Sequence, residues 1–345
     1  MSLHTEILEQ PKRLADLLKN QRPAITEIAK AIQKRAPGFI MLAARGTSDN
    51  AGRYANYVLG SRNRMALALA APSLFTYYQT PPELHNALVI GIFQSGQSPD
   101  IISVLQEGRK QGCLTLAITN IPNSPIAQVA DHVIDISAGP ELATAASKTY
   151  SAELMSLAML SAALNDDGQT WSELERVAGW VEEVCQLDDA IALAVQRYYY
   201  MHQCVVLGRG YNYSTAFEWA LKLKELTYVE AEPYSSADFM HGPIAMVQSG
   251  FPVFAVVPQG KVYQSMFETL QQLKNELRAE TVVISNTTEA LALAQVPMRI
   301  PADVPEWLTP LVSIIPAQLF AYHLTVVKGL DTEKPRIIHK VTETR

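Results

Sequence analysis

Cysteine is scarce in this 345-residue chain, and the three present (Cys113, Cys185, Cys204) are odd in number and far apart. No CxxC pair or Cys/His cluster occurs, so neither a disulfide framework nor a structural zinc site is supported, and the three read as reduced thiols. Basic charge is also short. Twenty-eight Lys and Arg against 34 Asp and Glu leave a net charge of −6, which argues against broad nucleic-acid binding. No apolar run of membrane-spanning length is read, and Met1–Ile7 lacks the basic and apolar regions of a signal peptide. The expectation is a soluble cytoplasmic protein with no membrane or nucleic-acid partner. Nucleotide fingerprints are missing as well: neither G-x-G-x-x-G nor a P-loop Lys-Ser/Thr occurs.

What is present is an alternation of apolar runs and amphipathic stretches. Residues 5–36 read as helical, with Pro23 starting a second segment and Pro37-Gly38 ending it. Phe39–Ala44 reads as a buried parallel strand and runs into the turn Arg45-Gly46-Thr47-Ser48-Asp49-Asn50. A second strand, Ala87–Phe93, runs into Gln94-Ser95-Gly96-Gln97-Ser98-Pro99-Asp100, and a third is Leu114–Thr119. Strand, small hydroxyl-bearing turn, then helix is a recurrent anion-binding arrangement, because a helix N-terminus offers free N–H groups and partial positive charge.

The pattern then repeats. Cys204–Gly208 with Arg209-Gly210 echoes the first strand and turn, Phe251–Val257 the second strand, and Val282–Asn286 the third. The offsets are 164 (Arg45 to Arg209) and 166 (Asn120 to Asn286). Two copies of one doubly wound α/β unit are therefore expected: residues 37–168 and 199–330, joined by a helix over 169–198. An N-terminal helical segment (1–36) precedes them and a polar tail (331–345) follows. The second copy lacks the hydroxyl-rich turn. It has instead Lys222 and Glu225, three apart on one helix face. His241 follows a Pro-containing, Ser-rich loop and opens a Gly242-Pro243 turn.

In order and spacing, Glu6–Pro11, Arg45–Ser48, Gln94–Gly96, Leu207–Gly210, Ala220–Glu225, His241–Pro243 and Pro335–Lys340 resemble the double sugar-isomerase (SIS) half of glutamine:fructose-6-phosphate aminotransferase. The resemblance covers essentially the whole chain and implies two SIS domains. It implies that Ser48, Gln94, Ser95 and Ser98 hold a sugar phosphate, with Thr47 and Thr144 near the sugar. It further implies that Glu225 shuttles a proton between C1 and C2, and that Lys222 tunes the charge beside it. His241, from the neighbouring subunit of a homodimer, would open the ring. Lys340, on a tail folded over the site, would meet the carbonyl end. No cofactor and no metal are implied. The chemistry suits these groups, since a 1,2-proton transfer needs one base serving both carbons and ring opening an acid of near-neutral pKa.

Three departures leave the substrate open. Phe93 stands where the synthase has a phosphate-binding serine, Thr144 and Ala146 alter the Val-Ala-Ser pattern, and His339 replaces a small residue. The segment Glu6–Pro11, which ends in Glu9-Gln10-Pro11, begins at residue 6, which leaves no room for a glutaminase domain within this sequence. The ending Lys340-Val341-Thr342-Glu343-Thr344 resembles stand-alone glucosamine-6-phosphate deaminases. The expected activity is thus conversion of a hexosamine 6-phosphate to fructose 6-phosphate and ammonia. The alternatives are a fructosamine-phosphate deglycase, an aldose–ketose phosphate isomerase, an ammonia-dependent synthase subunit and a non-catalytic sugar-phosphate sensor.

Overall fold

The computed structural model describes residues 2–165, 167–338 and 340. Its contacts divide the chain into two compact units. The first-sheet unit comprises Lys12–Glu141, Lys148–Arg176 and Lys340; the second-sheet unit comprises the segment up to Pro11, Leu142–Ser147 and Val177–Ile338.

The first-sheet unit carries β1 (Phe39–Ala43), β2 (Leu67–Leu69), β3 (Ala87–Ile92), β4 (Leu114–Thr119) and β5 (His132–Asp135), all parallel in the order β2-β1-β3-β4-β5. β3 is buried along its whole length, which is why its sequence is unbroken Ala, Leu, Val, Ile and Gly rather than alternating. Register pairs such as Leu42 with Ile90 and Ile90 with Leu116 stack the apolar residues across the sheet. Val89, Ile101, Leu105, Ala117 and Ile126 form the core on one face, with Phe93 packed against it.

The second-sheet unit repeats the plan with β6 (Gln203–Gly208), β7 (Glu230–Ser235), β8 (Pro252–Val256), β9 (Glu280–Ser285) and β10 (Val296–Arg299). Its order, β7-β6-β8-β9-β10, is the same arrangement. In both sheets the winding direction reverses between the first and third strands (β1/β3 and β6/β8), and ligands of such sheets bind beyond the carboxyl ends of those strands.

Three readings of the sequence change. Pro23 lies inside one continuous helix, Gln10–Arg35, instead of dividing two. It is exposed there, where water can hydrate the carbonyl left without a donor. The expected single helix over 169–198 is three pieces: Gly168–Cys185, Asp188–Ala194 and a 3-10 turn, Val195–Tyr198. Finally, Glu306–Val327 is long and apolar enough to cross a membrane, yet 78% of its most apolar window is buried within the protein. Its hydropathy is that of a core helix covered on all sides. It even buries Gln318, which accepts from Gln10 at 2.8 Å and donates to the Ser147 carbonyl at 3.2 Å. All three cysteines are free, two of them buried.

Candidate active site

The two hydroxyl-bearing turns follow β1 and β3, at the switch point of the first sheet. Arg45 and Asp100 tie them together: the guanidinium Nε donates to the fully buried Asp100 carboxylate at 2.8 Å. Gly96 makes the second turn possible. Its φ is +65°, and a Cβ there would lie 2.1 Å from Ser124 Oγ, so only glycine fits.

The hydroxyls of this unit are not equivalent. Ser95 Oγ is buried and makes no hydrogen bond among the described residues. The Gln94 side chain is half-buried at the same turn. Ser48, in the first turn of the helix Thr47–Asn63, donates to Glu153 Oε1 at 2.8 Å, and that carboxylate is buried too. Ser98 donates to Asp100 over a short contact. Thr47 is half-buried at the first position of its helix. Lys340 Nζ meets Glu141 Oε2 at 2.5 Å, and Glu141 also accepts from the Thr149 N–H (3.1 Å) and hydroxyl (2.8 Å). Beside it the buried Lys148 donates to the Pro140 carbonyl at 2.6 Å. His339 and residues 341–345 lie outside the described residues.

The second-sheet unit holds the acid–base candidates. Lys222 lies in the helix Tyr213–Thr227 with its side chain 3% exposed, and two carboxylates of the same helix grip it: Glu225 at 2.5 Å and Glu218 at 3.3 Å. The spacing i, i+4 and i+7 puts all three on one stripe. Burial alone would push the Lys222 pKa down; the charges of Glu218 and Glu225 override it and hold it above the ordinary lysine value. The ammonium is therefore permanent at neutral pH. Glu218 is fully enclosed, whereas the Glu225 side chain keeps 25% exposure, so of the two carboxylates Glu225 is the one open to a ligand.

The segment before His241, read as a loop, is the edge strand β7 followed by a short helix, Ser236–Met240. His241 ends that helix through its N–H to the Asp238 carbonyl at 3.1 Å, and its exposed imidazole makes no hydrogen bond among the described residues. Gly242 takes φ +139°, a turn closed to other residues, and Met240 and Met246 on this segment are exposed as His241 is. Thr144 is pinned by the Glu333 carbonyl, to which its hydroxyl donates at 3.0 Å.

Sequence reading missed the carboxylates Glu218, Glu141, Glu153 and Asp100. Glu218 is the exception that spacing could have found, four residues before Lys222. A cavity of about 610 Å³ opens at the amino-terminal ends of β6 and β7, lined by Cys204, Lys224, Tyr228, Glu230 and Glu232 among others. It holds none of the candidate residues and lies at the end of its own sheet opposite the carboxyl ends of β6 and β8.

Two doubly wound units of identical strand order, one carrying buried serine turns and the other a Glu–Lys–Glu stripe, define an α/β tandem-repeat protein. The chain belongs to the SIS domain family, which it matches over residues 36–163 and 198–328. It is 33% identical over 344 residues to glutamine–fructose-6-phosphate aminotransferase (isomerizing) of Thermococcus kodakarensis, covering 97% of this chain and 56% of that protein. The Aquifex aeolicus protein of the same name is 32% identical, again over 97% of this chain and 56% of its own length. The chain thus spans about half the length of these curated relatives. Among solved structures, the C-terminal domain of the Francisella tularensis glucosamine-fructose-6-phosphate aminotransferase superposes with a TM-score of 0.87 at 26% identity, covering 96% of this chain and 98% of that one.

Proposed function

We propose that this chain is an enzyme of amino-sugar phosphates, converting a hexosamine 6-phosphate, with glucosamine 6-phosphate foremost, to fructose 6-phosphate and ammonia. The observation that carries this reading is Glu225: a ligand-accessible carboxylate held at 2.5 Å by a buried, permanently charged lysine. Such a group is a fixed base aimed by its partner, as a 1,2-proton transfer requires. The relatives named for a fructose-6-phosphate reaction supply the substrate class.

In this reading the phosphate is held by Ser95 and Gln94, joined by Ser48, Ser98 and Thr47. His241 passes the ring-opening proton. Glu225 takes the C2 proton of the open-chain amino aldose and returns it to C1, leaving an imine at C2. Water adds to that imine and ammonia leaves. Lys222 is too enclosed by its carboxylates to donate, and its part is to hold Glu225. In the same reading Lys340 meets the carbonyl end and Thr144 lies near the sugar. His241 is exposed, as are Met240 and Met246 on the same segment, which supports its contribution to the site of a second subunit. The same proton transfer without nitrogen is aldose–ketose phosphate isomerisation, and one assay separates the two. Purified protein should release ammonia from at least one of glucosamine, galactosamine or fructosamine 6-phosphate; interconversion of aldose and ketose phosphates with no ammonia from any of them would replace deamination by isomerisation.

Glu153 offers an independent check on the phosphate assignment. Its buried carboxylate occupies the Ser48 hydroxyl and places negative charge beside the proposed phosphate. Glu153→Gln keeps an acceptor for Ser48 and removes that charge. Fructose 6-phosphate should then bind about three- to tenfold more tightly by titration calorimetry. Unchanged or weaker binding would move the phosphate away from Ser48.

A further inference from the structure

His4, Asp188 and His323 come from three elements of the second-sheet unit: the helices Leu3–Leu8, Asp188–Ala194 and Thr309–Val327. Asp188 joins them. Its Oδ2 lies 2.8 Å from His4 Nε2 and its Oδ1 2.6 Å from His323 Nε2. The side chains are 29%, 22% and 15% exposed respectively, shielded yet within reach of solvent. Among the described residues this is the one group of three or more His, Cys, Asp or Glu side chains whose ligand atoms all lie within 4.8 Å of one another.

We propose that His4, Asp188 and His323 form a binding site for a divalent cation of the zinc type, which staples the N-terminal helix to the long core helix of this unit. Two imidazoles and a carboxylate are a donor set zinc accepts, with solvent completing a tetrahedron. Around a tetrahedral cation with bonds of about 2.0–2.2 Å, donor atoms sit roughly 3.3 Å apart. The two existing contacts run to different Asp188 oxygens and would open by about 0.5 and 0.7 Å, while the wider donor separations, all within 4.8 Å, would close by up to about 1.5 Å, side-chain rotations for residues this exposed. In the metal-free arrangement each imidazole Nε2–H donates to the carboxylate, so a cation bound through Nε2 requires each neutral ring to carry its proton on Nδ1 instead.

The surroundings favour a cation and restrain the rings. Tyr322 stacks on His4 with centroids 4.8 Å apart and meets His323 edge-on at 5.0 Å. The Glu333 carboxylate lies beside His4, accepting the Leu3 N–H at 3.0 and 3.2 Å. The staple would act on more than the terminus. Two residues beyond His4, the Glu6 carboxylate accepts the N–H groups of Leu142 (2.6 Å) and Ala143 (3.3 Å), which precede Thr144. Metal at His4 thus braces the helix that holds the Thr144 loop.

The test is a cobalt(II) titration of chelator-treated full-length protein, followed by visible absorption, with thermal melts in zinc. Expected are one equivalent of cobalt with a tetrahedral d–d spectrum and a Tm rise of about 5 °C at saturating zinc. His4→Ala and His323→Ala should each weaken cobalt binding on the order of tenfold or more and abolish the Tm rise. His85→Ala, an exposed histidine elsewhere, should change neither. Absence of saturable cobalt binding overturns the proposal, as does a spectrum and affinity that survive both site variants.

Discussion

Glu225→Gln is expected to lower kcat by about a thousandfold or more while leaving fructose 6-phosphate affinity within a few-fold of wild type. Glutamine is nearly isosteric and still offers an oxygen to Lys222, so the helix stripe keeps its shape. What is lost is the only property a proton shuttle needs, a lone pair basic enough to accept from carbon. Binding survives because the phosphate is assigned to Ser95 and its neighbours, on other elements. A kcat within tenfold of wild type would remove Glu225 from the mechanism. Mixing this variant with an inactive His241→Ala variant after reversible dissociation extends the test to the second subunit. If each site draws Glu225 from one protomer and His241 from the other, half of the random dimers regain one intact site. Activity should then return to about a quarter of wild type. No recovery would place both residues in the same protomer.

Lys222→Met should cost about 3–5 kcal/mol of stability, because it leaves Glu218 fully buried with no counter-charge on the stripe. Equilibrium urea unfolding measures it, and a loss below ~1 kcal/mol would show that the stripe adapts without its cation. Adding Glu218→Gln to the same variant should recover part of the loss, since the uncompensated charge is then gone. The pH dependence follows from the sign of the shift. The Lys222 pKa is raised in the folded protein, so its contribution is fully present below the unfolded lysine value of about 10.4 and is lost only as pH rises through the folded value. Across the neutral range the Lys222 contribution is indifferent to pH.

The central strands β1, β3, β4, β6, β8 and β9 were legible because burial on both faces demands unbroken apolar runs. The edge strands were not. β2 has three residues, β5 begins with His132 and ends with Asp135, and β7 and β10 contain Pro233 and Pro297, residues that edges tolerate and local patterns read as loop. The Lys222–Glu225 pair was visible because three residues make a helical neighbour. The partners that occupy the candidate hydroxyls and the tail lysine were invisible for the opposite reason: Glu153 is 105 residues from Ser48, and Glu141 is 199 from Lys340. The same holds for His4, Asp188 and His323, separated by 184 and 135 residues, where only the fold reveals a cluster.

The ion pairs and hydrogen bonds that anchor the N-terminal helix also set a schedule for the growing chain. Leu3 and Ile7 are buried, and Gln10 is sealed against Gln318, 308 residues further along. At ribosomal speeds of about 5–20 residues per second, those side chains emerge roughly 15–60 s before their partner exists. The first-sheet unit lies mostly within residues 12–176 and can close during that interval. The unit bearing Glu225 cannot. Its earliest-synthesised helix is its last to dock, so nascent chains stalled before residue 318 should leave the apolar face of the Leu3–Leu8 helix unsheltered.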